Sequence, residues 1–91
     1  MDKRLQVVAD WIEPLIVYSK PEKNISYSIN VSNADGGSIQ FIALLWNSRF
    51  RDILKSHYIK LDIYDTDISI ANKMVQIQNI INGLISPFKE E

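Results

Sequence analysis

The sequence predicts a small α+β domain. Its expected architecture is a mostly antiparallel sheet of about three strands, packed by an N-terminal and a C-terminal helix, with residues 1–91 forming a single domain. Three observations predict this. Residues 25 to 32, ISYSINVS, alternate strictly between apolar and polar side chains, the period of a strand buried on one face. NADGG follows directly, a loop with the composition of a hairpin turn. Near both ends of the chain, apolar residues recur at spacings of three and four, the stripe of an amphipathic helix.

The first helix is expected over residues 2 to 19. Leu5, Val8, Ile12 and Leu15 form its stripe, and Asp2 can cap its start. Pro14 removes the bond to residue 10 and disfavours helical geometry at Glu13. The helix therefore either kinks there, or ends and leaves PLIVYS extended. SKPEKN reads as a loop. In the strand 25–32, Ile25, Tyr27, Ile29 and Val31 face one way, and Ser26, Ser28, Asn30 and Ser32 the other. The glycines of NADGG supply the positive φ that such turns need.

The next stretch, GGSIQFIALLWNSRFRDILKSHY, supports two readings. As a strand, 38–46 sets Ile39, Phe41, Ala43 and Leu45 on one face and Ile42, Leu44 and Trp46 on the other. As one helix from 39 to 57, Ile39, Ile42, Ala43, Trp46, Phe50, Ile53, Leu54 and His57 share a stripe capped by Ser38, while Phe41, Leu44 and Leu45 lie off it. That helix would allow a parallel βαβ unit between 25–32 and 58–64. The local hairpin signal favours a hybrid: a strand to Trp46, then a short helix from Ser48 to about Ser56. YIKLDIY, 58–64, alternates again, with Ile59, Leu61 and Ile63 inward. A last helix is expected over 68–86 on Ile70, Met74, Ile77, Ile81 and Leu84. Asp67 is its expected N-cap, Gly83 a weak point within it and Pro87 its stop. The closing KEE is expected to fray.

Composition narrows the function classes. Net charge is −1, so no global field draws the chain to nucleic acid or to an anionic membrane. There is no cysteine, which excludes disulfides and thiolate metal sites. No run approaches the apolar length of a membrane span, and no secretory signal is read in the first twenty residues. A cytoplasmic location is the resulting expectation. Isoleucine occurs 15 times and asparagine seven times. That bias is associated with AT-rich genomes, bacterial or viral.

No motif carries catalysis, a metal or a cofactor. His57 has no cysteine or second histidine beside it, and reads as a boundary residue at a helix end. Asp62, Asp65 and Asp67 lack the glycine and distal glutamate of a calcium loop; they read as a strand end and a helix cap. ADGGS lacks the lysine of a phosphate loop. Asn24 and Asn30 match a three-residue glycosylation pattern that arises easily by chance. The expectation is a non-enzymatic protein.

Two surfaces could bind a partner. Ile42, Leu44 and Trp46 would form an apolar island between polar strand faces, and Trp46 alone could bury about 200 Å². Beside it, Arg49, Arg51, Lys55 and Lys60 stand against Asp52 alone over residues 49–60, with Phe50 among them. Tryptophan next to arginine is the composition of interface hot spots. The expected function is therefore a small protein-binding module of inhibitor, immunity or phage anti-defence type, using Ile42, Leu44, Trp46, Arg49, Phe50 and Arg51. A second copy of the chain is a further candidate partner. The alternative is nucleic-acid binding through the basic cluster at 49–60, which interleaves charge with an aromatic ring.

With the short helix left out, the order helix–strand–strand–strand–helix resembles that of double-stranded-RNA-binding domains. The resemblance covers element order and no motif. Those domains carry a basic cluster at the start of the last helix. Here the region reads DTDISIANKM, acidic and then neutral, so no binding residue is carried over.

Overall fold

The computed structural model describes residues 1–88. The described residues form helix α1 (Lys3–Val17), strands β1 (Ile25–Ser32), β2 (Ser38–Trp46) and β3 (Ile53–Asp62), and helix α2 (Asp67–Ile81). A single 3₁₀ turn, Ala34–Gly36, lies in the β1–β2 connection. The strands make one antiparallel meander in the order β1-β2-β3. This is the α+β class that the alternation and the two terminal stripes predict.

β1 and β2 span the expected residues, because their turn chemistry is local. Asp35 sits at φ 53°, and Gly36 and Gly37 at φ 90° and 111°. The register pairs Ile29 with Phe41 and Ile39 with Val31. Odd-numbered residues of the sheet therefore share one face. Ile39, Phe41, Ala43, Ile59 and Leu61 are buried there, with Leu5, Val8, Ala9 and Ile12 of α1 and Ile70, Ile77, Ile80 and Ile81 of α2. Both helices thus cover the same face, and the fold has two layers. Tyr27 adds a ring 5.8 Å from that of Phe41, and its hydroxyl donates to the carbonyl of Ile80.

α1 continues through Pro14. The Tyr18 amide still donates to the Pro14 carbonyl at 3.0 Å. Only the bond from residue 14 back to Asp10 is lost, on a turn where Asp10 and Pro14 are both exposed. Asp2 caps the helix as expected, accepting from the Arg4 amide at 2.8 Å.

Five sequence expectations are corrected. The short helix at 48–56 does not form. Residues 47–52 make a turn, and β3 starts at Ile53 and ends at Asp62, instead of running from 58 to 64. His57 consequently lies inside β3 opposite Ala43, and not at a helix end. The N-cap of α2 is Thr66, whose side chain accepts from the Ser69 amide, and Asp67 is the first helical residue. α2 ends at Ile81, five residues short of expectation. Gly83, at φ 74°, terminates it: the Gly83 amide donates to Ile80 and the Leu84 amide to Asn79. That paired pattern is a Schellman ending, which turns a glycine from a helix weakness into a helix stop. Leu84 is left 73% exposed, outside the stripe it was expected to extend. The expected fraying of KEE falls outside the described residues.

Candidate partner-binding face

The even-numbered residues of the sheet point away from both helices. Their polar end holds Asn30, Ser32, Ser38, Gln40 and Lys60. Their apolar end holds Ile42 and Leu44, opposite Ser28 and Ser26 on β1 and Tyr58 and Ser56 on β3. Trp46 completes the row. Its indole N–H donates to the Ser26 hydroxyl at 2.9 Å, so the ring lies back along the sheet towards β1. Ile42, Leu44 and Trp46 are each half-buried by their neighbours in the sheet. None belongs to the core cluster or packs against it.

The irregular end of β3 enlarges this row. Leu45 pairs with Lys55, but Trp46 pairs with Ile53, so Leu54 is an extra residue. A bulge of this kind bends the strand and breaks the alternation. Ile53 and Leu54 come out beside Trp46, 52% and 61% exposed, and Tyr58 is 53% exposed across from Ile42. Leu54 and Tyr58 were missed as site residues. Tyr58 was legible, since it shares the parity of Lys60 and Asp62; Leu54 was not, because nothing local announces the bulge.

The turn from β2 to β3 is built on one side chain. The Asn47 Oδ1 accepts from the amides of Arg49 (3.2 Å) and Arg51 (2.9 Å), its Nδ2 donates to Asp52, and its own amide donates to the Asp52 carbonyl. Such side-chain capping replaces a helix start. The turn holds Phe50 at φ 55° with its ring 54% exposed. A bulky residue in the left-handed region is strained. Arg49, Phe50 and Arg51 thus stand exposed at the apolar end of the open face, directly beyond Trp46. The structure brings all six sequence-predicted residues to that end of the sheet.

The acidic run DIYDTD is occupied with holding the fold. Asp65 accepts from Lys73 Nζ at 2.7 Å, from the Ser69 hydroxyl and from the Asp62 amide at 2.9 Å. Burial opposes its ionisation, but these donors and the charge of Lys73 outweigh burial and hold the carboxyl down at about 2. Asp67 pairs with Arg4 at 2.9 Å. Asp62 accepts from the Tyr64 amide. Among the described residues no group of three or more histidine, aspartate or glutamate side chains could hold a metal. No helix among them is long and apolar enough to cross a membrane.

The observed order of helices and strands is that of double-stranded-RNA-binding domains, yet the start of α2 presents Asp65 and Asp67. Its first lysine, Lys73, is bound to Asp65 and to the Lys60 carbonyl. The likeness therefore stops at element order. Compared with known proteins, the chain matches no family model, no curated protein and no solved structure.

Proposed function

We propose that this is a non-catalytic protein-binding module that docks on a partner protein through the open face of its sheet. The observation that carries the reading is the row Ile42, Leu44 and Trp46, set on a face that neither helix covers. With the exposed Leu54 and Tyr58 it makes an apolar strip on an otherwise polar sheet face, and apolar patches rimmed by polar residues mark interaction surfaces. Trp46 and Tyr58 offer rigid aromatic area, and Arg49 and Arg51 stand at its border as hot-spot side chains. The class that fits is that of small inhibitors, immunity proteins and phage anti-defence proteins. These act by docking alone.

The test compares partner capture by the wild type, Leu44→Glu and Val7→Glu. Leu44 lies on the open face; Val7 is 65% exposed on α1, on the helical side of the molecule. The reading requires that Leu44→Glu abolish capture while Val7→Glu leaves it intact, with both variants folded by circular dichroism. Equal capture by all three would remove it. Nucleic-acid binding through the basic cluster Arg49, Arg51, Lys55 and Lys60 is the competing reading. It requires retention of a labelled oligonucleotide at low salt, weakening steeply as salt rises.

A further inference from the structure

The free edge of β3 is plugged along one half and open along the other. The Trp46 amide donates to the Asn24 carbonyl at 2.8 Å, so even-numbered residues of β2 turn their backbone groups to β1 and odd-numbered residues turn theirs to β3. Across the register, Lys55, His57, Ile59 and Leu61 bond β2. Ser56, Tyr58, Lys60 and Asp62 then turn their amides and carbonyls outward. In the C-terminal half, the Asp62 amide donates to Asp65 Oδ2 at 2.9 Å, and the Lys60 carbonyl accepts from Lys73 Nζ at 2.7 Å. The amides and carbonyls of Ser56 and Tyr58 have no partner among the described residues. The Leu54 carbonyl points the same way, because a trans peptide sets it opposite to the inward Lys55 amide. Unpaired backbone groups at a sheet edge recruit another strand.

We infer that the open half receives a second copy of this chain, the two β3 strands pairing antiparallel about a two-fold axis at Ser56. Outward-turned residues oppose outward-turned ones in such a pair, so within the open stretch the axis passes through Lys55, Ser56, His57 or Tyr58. At Lys55 it sets the two Lys55 side chains against each other, and like charges so placed repel. At His57 it brings Asp52 level with Asp62 of the other copy, again like charges, and Leu54 level with Lys60. At Tyr58 it calls on the Lys60 carbonyl that Lys73 already holds, and it faces Leu54 with Asp62. At Ser56 the side chains agree. Leu54 meets Tyr58 of the other copy, and Asp52, just before the strand, comes level with Lys60; symmetry makes each pair twice. Leu54 and Tyr58 are both more than half exposed in the single chain. The Asp52 carboxylate gives Oδ2 to Asn47, which leaves Oδ1 for the ammonium. The two Ser56 residues exchange both of their backbone bonds, and each Tyr58 amide meets a Leu54 carbonyl. A symmetric contact uses up both β3 edges and closes without propagating. Even-numbered residues oppose even-numbered ones, so the two open faces lie on one side of a six-stranded sheet and their apolar strips meet at the seam.

This pairing goes beyond the docking reading and does not rest on it, since Ile42, Leu44 and Trp46 stay uncovered in the pair. One strand pair is a small contact, below the roughly 1,200 Å² at which standard interfaces begin, so association is expected to be weak. The mass of the full chain is therefore followed by light scattering from about 10 μM to about 1 mM, where small interfaces associate, and is expected to rise from monomer to dimer. Over that rise, amide exchange measured by NMR should slow roughly tenfold at Ser56 and Tyr58. It should stay unchanged at Tyr27 and Ile29, whose backbone groups line the outer edge of β1. Ser56→Pro should remain monomeric, because proline is tolerated where an edge N–H faces outward but cannot donate across the seam. Lys60→Glu should weaken association at least tenfold, and adding Asp52→Lys to it should restore association; this charge swap decides the matter if the proline variant fails to fold. Leu44→Glu should leave the mass unchanged. A chain that stays monomeric throughout overturns the pairing. So does a dimer that Leu44→Glu abolishes and Ser56→Pro spares, which would lie on the open face. Slowed exchange at Tyr27 and Ile29 instead of Ser56 and Tyr58 moves the contact to β1 and overturns it as well.

Discussion

The indole nitrogen of Trp46 donates to the hydroxyl of Ser26 at 2.9 Å, on the sheet face opposite both helices. One bond thus orients the largest side chain of the open face while leaving that face uncovered. A half-buried ring on an open surface leaves no closed cavity when removed, so it costs less than a core aromatic. Trp46→Ala is expected to remain folded and to lose about 1–2 kcal/mol in urea titration. Trp46→Phe should lose about 0.5–1.5 kcal/mol, the value of the hydrogen bond. A loss of about 4 kcal/mol in the alanine variant would place Trp46 in a core and contradict an open face.

Phe50 separates stability from binding. At φ 55° a glycine is unstrained, whereas phenylalanine is strained by roughly 1–2 kcal/mol. Glycine returns part of that gain through unfolded-state entropy. Phe50→Gly should therefore stabilise the chain by up to about 1 kcal/mol while weakening partner capture, measured side by side by thermal melting and pull-down. A destabilised variant would show that the ring packs on the fold.

Asp65 sets an acid limit. Its folded pKa of about 2 lies below the ordinary carboxylate value. A depressed carboxyl stabilises the fold above the unfolded pKa, and that stabilisation is lost as pH falls from about 4 towards 2. Its side chain is only 11% exposed, and after solvent screening the contribution is about 1–2 kcal/mol at pH 7. Asp65→Asn should be less stable than wild type by that amount at neutral pH, with the two urea midpoints converging below about pH 2. Parallel pH profiles would rule the mechanism out.

Pro14 leaves the Asp10 carbonyl without its helical donor in an otherwise continuous α1. Pro14→Ala restores the amide, and the loosened unfolded chain offsets part of the gain. Chemical denaturation should show about 1–2 kcal/mol of added stability. A loss would mean that the exposed ring makes contacts the geometry does not show.

Some of this was legible in the sequence for physical reasons, and some was not. Strict alternation in ISYSINVS and the glycine turn after it are local signals, so β1, β2 and their register could be read. The same alternation placed Ile42, Leu44 and Trp46 together on the face away from the core. The stretch after Trp46 misled because Phe50, Ile53, Leu54 and His57 recur at helical spacing. Three features of the turn that no apolar period announces override that spacing: the Asn47 side chain capping two amides, Phe50 in the left-handed region without a glycine, and a bulge at Leu54 that breaks the period of two. The edge of β3 was unreadable for a related reason. Whether a backbone group is plugged depends on Asp65 and Lys73 reaching it from later in the chain.

The first turn of α1 has a consequence for the order of folding. Each strand pair of the meander joins neighbours in sequence, and such pairs close short loops early. Arg4 does the opposite. Its guanidinium donates to the carbonyls of Asp65 and Ile63 and to Asp67, across a separation of 63 residues in the last case. That clasp cannot form until the start of α1 has met the start of α2. Arg4→Ala should therefore hasten unfolding several-fold in stopped-flow measurements and leave the folding rate nearly unchanged. The starts of the two helices act as a late latch on a sheet that assembles first.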